Sequence, residues 1–375
     1  MINDRPTHLR INLDALLSNY NKLNSLSDKK IGLAIVKANA YGLGAKSISE
    51  FLYKSGVRYF AVATLEEALE IKENIKDSLV LVLGVVNPKN IKYAVENNIS
   101  LTCPSKSWLE NVIEELKNLD GKLRIHVKLE TGMNRIGIFD KKEIMEVDEL
   151  LGSEKIEFEG IFSHYSNADG DDEEYDAYQT TNFEKLLKLF TNKPQYIHIE
   201  NSAGAVRYSQ REDNYNLSRL GIALYGCYPS ENIEKLGKIS LETVTSLVSK
   251  VTHVKKIPKG AKVGYGATYE TKEDEYIATI PIGYADGLLR RAQGFEINVA
   301  GEKCKIVGRV CMDQLMVKCT EKIKVGDDVV IFGEYNNQII SVDDFAAYQN
   351  TISYEIFCCI NPRVPRKYYT NNMEI

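Results

Sequence analysis

The stretch AIVKANAYGLGA, residues 34–45, places Lys37 between a run of small apolar residues and a loop that contains two glycines. The apolar residues predict the end of a buried strand, where a long cationic side chain is out of place. Burial lowers the pKa of an ammonium group, and a neutral lysine amine forms a Schiff base with a carbonyl compound. Lys37 is therefore a candidate for covalent chemistry. A lysine at a strand end more commonly forms an ion pair or extends its amine to solvent.

Other residues suited to chemistry also stand at predicted strand ends. They are Lys128 with Arg135, His164, Asn201 with Ser202, and residues 219–222. The set is short of carboxylates, which disfavours glycosidase and metal chemistry, whereas its cations, tyrosines and backbone N–H groups suit an anion with a reactive carbonyl. The segments ENSAGA and RLGIALYG would offer N–H groups and a hydroxyl to a phosphate. An aldehyde joined to a phosphate is the combination found in pyridoxal 5′-phosphate, and spacing alone leaves this interpretation open.

The elements that must position these residues form a repeating pattern. Eight short apolar segments alternate with segments whose apolar residues have helical spacing, such as LEEALEIKENI and WLENVIEELKNL. The predicted strands are 31–37, 57–63, 79–84, 99–103, 122–130, 155–164, 195–201 and 215–221. Eight such units in about 220 residues match an α/β fold of the (β/α)8 TIM-barrel type. An open, doubly wound sheet is the alternative that strand count does not exclude.

The pattern changes near Gly237. From there on, segments such as ETVTSLVSKVTHVKKI and EINVAGEKCKIVGRV are rich in strands and turns. We therefore predict a barrel domain over residues 1–237 and a C-terminal all-β domain over residues 238–375. A short strand near 8–12 would pack with the β domain.

Composition limits the possible partners. The 375-residue chain has 44% hydrophobic residues and a net charge of −5, so nothing indicates nucleic-acid binding. No run approaches the roughly 20 apolar residues of a membrane span, and the first thirty residues lack the apolar segment of a signal peptide. The seven scattered cysteines have no zinc-like spacing, and we expect free thiols, no metal and a cytoplasmic location.

A series of segments, in order from residue 34 to residue 355, resembles the alanine racemase family of barrel-type (fold type III) pyridoxal phosphate enzymes. These segments are VKANAYGLG, HVKLETGMNRIG, FSHYSNAD, HIENSAG, SRLGIALYG, VGYGATY, IPIGYADGLLR, GRVCMDQ and ISYE. In that family a β domain follows the barrel. The resemblance implies pyridoxal 5′-phosphate as the cofactor.

The resemblance also implies the catalytic residues. Lys37 would hold the cofactor and act as one acid–base group, and Tyr265 would act on the opposite face, as racemisation requires two groups. In the family this tyrosine comes from the neighbouring subunit, which implies a homodimer with shared active sites. Arg219 would face the pyridine nitrogen, and His164 would hydrogen-bond both Arg219 and the incoming Tyr265. Before the resemblance is considered, each of these could equally be a structural residue.

The remaining roles follow from the same resemblance. Arg135 and the backbone N–H of Met312 would bind the substrate carboxylate, and Lys128 matches a lysine that is carbamylated in many relatives. Tyr284 would narrow the entrance to the active site, and Asp313 would support the residues that form this entrance. The phosphate would contact residues that this chain retains: Tyr41, Ser202, Gly221, Ile222 and Tyr354. Leu43 departs from the family, where histidine is common.

These residues predict an alanine racemase that supplies D-alanine for peptidoglycan. A serine or broad-specificity racemase differs in only a few pocket residues, and Tyr354 favours alanine. A barrel-type decarboxylase would carry an acidic partner for the ring nitrogen, where this chain has Arg219. A non-catalytic pyridoxal phosphate-binding protein is the alternative from another class, although such single-domain relatives lack the β domain and its tyrosine.

Overall fold

The computed structural model describes residues 5–375, so the first four residues of the predicted barrel domain lie outside it. The N-terminal part alternates strands and helices. In chain order its elements are β1 (His8–Asn12), α1 (Leu13–Asn24), β2 (Ile31–Ile35), α2 (Lys37–Tyr41), α3 (Ala45–Lys54), β3 (Tyr59–Val62), α4 (Leu65–Lys72), β4 (Leu79–Val82), α5 (Ile91–Glu96), β5 (Ser100–Cys103), α6 (Lys106–Leu116), β6 (Leu123–Lys128), α7 (Lys141–Leu150), β7 (Ile156–Phe162), α8 (Glu173–Leu187), β8 (Tyr196–His198), α9 (Ser202–Arg207), β9 (Leu217–Leu220) and α10 (Glu231–Lys235).

Strands β2 to β9 form a parallel sheet in the order β8-β7-β6-β5-β4-β3-β2-β9. The Asn216 N–H donates to the Ile197 carbonyl at 3.0 Å and the Arg219 N–H to that of Glu200 at 3.2 Å, which nearly closes the sheet into a barrel. Strands β2 to β4 are largely buried and apolar because the helices cover their outer faces, whereas β6, β7 and β9 also contain buried charged residues. The predicted (β/α)8 barrel is confirmed.

The C-terminal part consists mostly of strands. Its elements are β10 (Thr245–Lys250), β11 (His253–Ile257), β12 (Lys262–Val263), β13 (Tyr269–Glu270), β14 (Glu275–Ile280), β15 (Glu296–Val299), β16 (Glu302–Lys305), β17 (Leu315–Cys319), β18 (Asp328–Tyr335), β19 (Gln338–Ile340), α11 (Val342–Tyr348), α12 (Ser353–Cys359), β20 (Arg366–Thr370) and β21 (Met373–Glu374). This confirms the predicted β-rich second domain, to which the structure adds the two short helices.

The two parts of the chain share a sheet. Strand β1 lies between β10, with which it is antiparallel, and β20, with which it is parallel. The N-terminal strand therefore belongs to the sheet of the β-rich part, and α1 leads from it to the barrel. The domain boundary at residue 237 stays a prediction. Within residues 5–375, no helix is both long and apolar enough to cross a bilayer.

Candidate active site

Lys37 begins a turn with an uncommon backbone conformation. The strand before it is held in the barrel, since the Val36 N–H donates to the Ala61 carbonyl at 2.9 Å. The next four residues have positive φ angles, 51° at Ala38, 53° at Asn39, 53° at Ala40 and 55° at Tyr41. Left-handed conformation costs non-glycine residues roughly 1–2 kcal/mol each, so a run of four persists only where surrounding contacts hold it.

Side chains from two elements hold this turn. The Glu67 carboxylate of α4 accepts the Ala38 N–H at 2.6 Å, and it also accepts the Ala63 N–H at 2.8 Å. The Asn39 side chain accepts the N–H of Ala45 at 2.8 Å, where α3 begins. The same Glu67 closes a capping box with Thr64 at the start of α4. One carboxylate thus fixes both a helix start and the lysine turn.

The β-rich part closes over the far end of the turn. A Cβ atom at Gly42 would lie 2.6 Å from the Phe357 carbonyl oxygen, so α12 packs directly on this glycine. The Arg366 guanidinium donates to the Gly42 carbonyl at 3.0 Å, and the Tyr368 hydroxyl donates to the Leu43 carbonyl at 2.9 Å. Leu43 itself is fully buried in the core. Its side chain packs in the interior and lies away from the barrel mouth.

The half-buried Lys37 amine lies among positive charges. Burial, followed by the positive charge of Arg135, lowers the pKa of Lys37; the Glu67 carboxylate opposes part of this shift and Arg219 adds to it. A lowered pKa increases the fraction of neutral amine, which is the form that reacts with carbonyl carbon and accepts a proton.

Arg219, the third residue of β9, lies inside the barrel with 3% of its surface exposed. Its guanidinium donates to the Ser163 carbonyl at 2.8 Å, to the Ile199 carbonyl at 2.7 Å and to two histidines, the Nδ1 of His198 at 2.6 Å and the Nδ1 of His164 at 2.8 Å. Burial lowers the pKa of Arg219 to about 9, which leaves it charged at neutral pH. Four hydrogen bonds therefore fix the orientation of this cation.

His164 stands at the end of β7, next to Arg219. Burial and then the charge of Arg219 hold the pKa of His164 well below its ordinary value, so the ring is neutral. Since an arginine only donates, the His164 Nδ1 must accept, and its proton lies on Nε2. The Nε2–H group is thus available as a donor to an incoming oxygen. In the described part of the chain, no hydrogen bond joins His164 to Tyr265.

Lys128 and Arg135 lie on the same side of the barrel mouth. The buried Lys128 amine donates to the Leu129 carbonyl at 2.6 Å, and burial lowers the pKa of Lys128 to about 8. Arg135 is exposed, and its backbone N–H donates to the Glu130 carboxylate at 3.3 Å. The charge of Arg135 contributes to the lowered pKa of Lys37, Lys128 and His164, so these groups lie near Arg135.

The residues predicted to bind a phosphate come together at a cradle beside the barrel. The Ser202 hydroxyl accepts the Gly221 N–H at 2.7 Å. A Cβ atom at Gly221 would lie 2.8 Å from the Tyr41 hydroxyl oxygen, so only glycine leaves this space open. The Tyr354 ring of α12 packs on that of Tyr41, with centroids 5.9 Å apart. A short 3-10 turn begins at Ile222, and the first amides of such turns lack partners within the turn.

Apart from Tyr354, the predicted site residues of the β-rich part lie at exposed positions. Tyr265 is 71% exposed and Met312 is 52% exposed, and Tyr284 is also exposed. Tyr284 and Met312 lie on adjoining loops, since the Ala285 N–H donates to the Met312 carbonyl at 3.0 Å. Asp313 pairs with Arg363 at 2.6 Å. The barrel thus gathers the predicted residues in one place, and within the described chain no hydrogen bond brings Tyr265 to them.

Sequence reasoning missed several residues around the site. Glu67 belongs to the sequence TLEE, which predicts a capping box, but a capping box indicates only where a helix begins. His198 lies in HIENSAG but received no role, and the buried His126 and Glu159 beneath it were not singled out. Arg363, which pairs with both Asp313 and Asp286, was not singled out either.

Comparison with known proteins matches nearly the whole chain. The family model described as "Alanine racemase, N-terminal domain" matches residues 11–229, and that for the C-terminal domain matches residues 244–368. A Staphylococcus epidermidis alanine racemase is 41% identical over 372 residues, 99% of this chain and 96% of that protein. A crystal structure of Bacillus anthracis alanine racemase with bound L-Ala-P has a TM-score of 0.92 at 36% identity, covering 100% of this chain and 98% of that one. A Leuconostoc mesenteroides histidine racemase has a TM-score of 0.90 at 27% identity, covering 98% and 99%.

Proposed function

The chain belongs to the alanine racemase family, and from that premise we propose that it interconverts L-alanine and D-alanine with pyridoxal 5′-phosphate as its cofactor. The geometry that carries the proposal is the barrel mouth, where the Lys37 amine, with its lowered pKa, lies beside the fixed cation of Arg219. The product would serve peptidoglycan synthesis.

The described residues fit this cofactor. Gly221 leaves open a space that a Cβ atom would fill, and hydroxyls of Tyr41 and Ser202 border it. A phosphate accepts hydrogen bonds from hydroxyl groups and from backbone N–H groups that have no other partner. We propose that Tyr41, Ser202, Gly221, Ile222 and Tyr354 would hold the phosphate, and that Lys37 would anchor the carbonyl carbon until the substrate amine takes its place and leaves the Lys37 amine free.

When bound, pyridoxal phosphate would supply an electron-withdrawing ring that makes the α-hydrogen of alanine acidic. The neutral Lys37 Nζ accepts that proton on one face. On the other face, the Oη of the partner subunit's Tyr265 donates a proton, which inverts the configuration, and the reverse reaction exchanges the two roles. The Nε2–H of His164 donates to the same Oη and stabilises its deprotonated form.

Arg219 would act as a fixed donor toward the ring nitrogen. A guanidinium cannot accept a hydrogen bond, so Arg219 leaves that nitrogen unprotonated and limits the electron withdrawal by the ring. Weaker withdrawal suppresses side reactions such as transamination, which a racemase must avoid. The four hydrogen bonds that orient Arg219 support this role.

Substrate selection would fall to residues at the entrance. We propose that Arg135 and the Met312 N–H bind the substrate carboxylate and that a carbamate on Lys128 orients Arg135. The pKa of Lys128, about 8, supports this modification, because CO2 reacts with a neutral amine. Tyr284 and Tyr354 would restrict the side-chain space to a methyl group, with Asp313 in support. A neighbour with the same fold is named a histidine racemase, so the fold alone does not determine which amino acid reacts.

The exposed position of Tyr265 supports a homodimer with shared sites. A catalytic tyrosine that is mostly exposed in one chain needs a second surface to exclude water around it. We propose that this surface is the barrel mouth of a second copy, and that the enzyme acts in the cytoplasm, where its seven free cysteines would stay reduced.

The direct test is racemisation of L-alanine by the purified, cofactor-loaded protein, compared with L-serine and L-histidine. We expect kcat/KM for alanine to exceed that for serine by more than tenfold, since an added hydroxyl must fit a methyl-sized space. Faster turnover of serine would overturn the substrate assignment. Failure to bind pyridoxal phosphate would overturn the whole proposal.

A further inference from the structure

A continuous chain of hydrogen bonds runs down the barrel interior from Arg219. The Arg219 guanidinium contacts the His198 Nδ1 at 2.6 Å, the His198 Nε2 lies 3.0 Å from the Nδ1 of His126, and the His126 Nε2 lies 3.0 Å from a carboxylate oxygen of Glu159. Both imidazoles are fully buried. In the described part of the chain, no carboxylate lies within salt-bridge distance of Arg219 itself. Glu159 is the carboxylate that this chain of hydrogen bonds reaches.

The direction of every hydrogen bond in this chain follows from Arg219. Because an arginine only donates, the His198 Nδ1 must accept, and burial and the nearby Arg219 charge hold the pKa of His198 well below its ordinary value. The neutral His198 ring therefore carries its proton on Nε2 and donates it to the Nδ1 of His126. The His126 proton then lies on Nε2 and is donated to Glu159. The Glu159 carboxylate only accepts, so it requires the same two tautomers from the other end of this chain of hydrogen bonds.

Two local features of the chain place Glu159 at this position. The pairing of β6 with β7 shifts by one residue, so that Ile125 faces Phe158 and His126 faces Gly160, with Glu159 as the extra residue between them. Such a bulge redirects a side chain. A Cβ atom at Gly160 would lie 2.2 Å from the His126 Nδ1, so the glycine makes room for the ring.

Glu159 is buried and ionised at the floor of the barrel. Burial alone would raise the pKa of Glu159, but hydrogen bonds from His126 and Ser100 outweigh this and hold the pKa below its ordinary value. Arg124 lies 3.7 Å from the second carboxylate oxygen. A charged group that is buried inside the barrel requires such compensation.

We propose that Glu159 is a positioning residue for Arg219, acting through His126 and His198 to fix both imidazole tautomers and so the orientation of the guanidinium. The inference rests on the proposed function, because the effect on the reaction depends on Arg219 facing the cofactor. Glu159 touches neither the substrate space nor Lys37. Its replacement should therefore change kcat and reaction specificity more than KM.

The first experiment needs no cofactor. In apoprotein labelled with 15N-histidine, long-range proton–nitrogen NMR reports which ring nitrogen carries the proton. The chain has five histidines, so single substitutions assign the signals. We expect His126, His164 and His198 all as Nε2–H tautomers at neutral pH. His126 or His198 with its proton on Nδ1, or His126 as a cation, would overturn the proposal.

The second experiment compares three variants of the loaded enzyme and of its apoprotein. Glu159→Gln keeps a hydrogen-bond acceptor and removes the charge, and Glu159→Leu removes both. Glu157→Gln is the matched control, since Glu157 lies on the same strand, pairs with Arg124 and is half exposed. We expect kcat to fall about tenfold in Glu159→Leu and by less in Glu159→Gln. The loss of a residue that hydrogen-bonds a metal-ligating histidine has an effect of similar size in metal enzymes. KM should be unchanged, and transamination should increase relative to racemisation.

The outcomes separate this inference from the proposed function. If the histidine tautomers of the apoprotein change in Glu159→Leu, the hydrogen-bonded chain is supported, whether or not the wild type is active. A wild type that racemises no amino acid would overturn only the proposed activity. An active wild type whose Glu159 variants match Glu157→Gln in kcat, in transamination and in the histidine spectrum would overturn the inference alone. If the histidine spectrum and kcat of Glu159→Gln are closer to those of the wild type than the values of Glu159→Leu are, the role of the hydrogen-bond acceptor is supported.

Discussion

Lys37 and Tyr265 lie in opposite surroundings. Around Lys37, side chains from α4 and β20 and a backbone carbonyl of α12 hold the turn. Arg219 hydrogen-bonds His164 in the same chain, and its charge contributes to the lowered pKa of Lys37. Around Tyr265, the side chain is mostly exposed, and Met312 nearby is exposed as well. Under the proposed function, this difference means that one chain would build half of the site in its barrel and a second copy would supply the other half. Four changes test this division.

Lys37→Ala should have the largest effect. It removes the proposed covalent anchor and one of the two proposed acid–base groups, so we expect racemisation to fall by about 10⁴-fold or more, with loss of the absorbance of the lysine-bound cofactor. Lys46→Ala, at an exposed position on α3, serves as the control. Residual activity above a hundredth of wild type would show that the barrel half lacks the role we assign to Lys37.

Tyr265→Phe should reduce racemisation by about 10² to 10⁴-fold, because the change removes only a hydroxyl. Mixing this variant with Lys37→Ala, with exchange of subunits, should restore about a quarter of wild-type activity, since half of the random dimers would hold one intact site of two. Tyr276→Phe, in the same β-rich part, is the control. If mixing restores nothing, the tyrosine acts within its own chain or not at all.

Glu67→Gln should lower kcat about tenfold and leave KM nearly unchanged. The carboxylate accepts N–H groups from both Ala38 and Ala63, and a neutral amide holds them less strongly. The adjacent Glu66→Gln, on the exposed side of α4, should have no effect. Equal kinetics in the two variants would show that the Lys37 turn keeps its conformation without this carboxylate.

Leu43→His should have the smallest effect on activity. The side chain is fully buried, and an imidazole there would lack a partner, which costs about 1–3 kcal/mol of the free energy of unfolding. We expect kcat to stay within about twofold of wild type, with the loss of stability visible in urea denaturation. Leu43→Met, of similar volume, should cost less than about 1.5 kcal/mol. A tenfold change in kcat would place this residue in the site.

The barrel could be predicted from sequence because its strands are short apolar runs between helices of clear periodicity. The positions of Lys37, His164 and Arg219 at strand ends followed from that pattern. Their roles, and every role in the β-rich part, came from the resemblance, because a tyrosine in VGYGATY carries no local signal. The roles of individual site residues stay predictions.

Other features depend on contacts that no local pattern contains. Ala38 and Ala40 have no tendency toward positive φ, and the turn exists because Glu67, Phe357 and Arg366 hold it. The bulge at Glu159 depends on how β7 aligns with its neighbour. Helices α11 and α12 were missed because each has seven residues, too short for a clear periodicity.

The left-handed turn after Lys37 has a stereochemical consequence. Positive φ is the mirror image of the conformation that L-residues prefer, so a D-residue adopts it without the usual steric penalty. At the exposed position 38, chemical synthesis could replace L-alanine by D-alanine and relieve strain instead of adding it. D-alanine, the product of the proposed reaction, would then suit the backbone next to Lys37 better than L-alanine does.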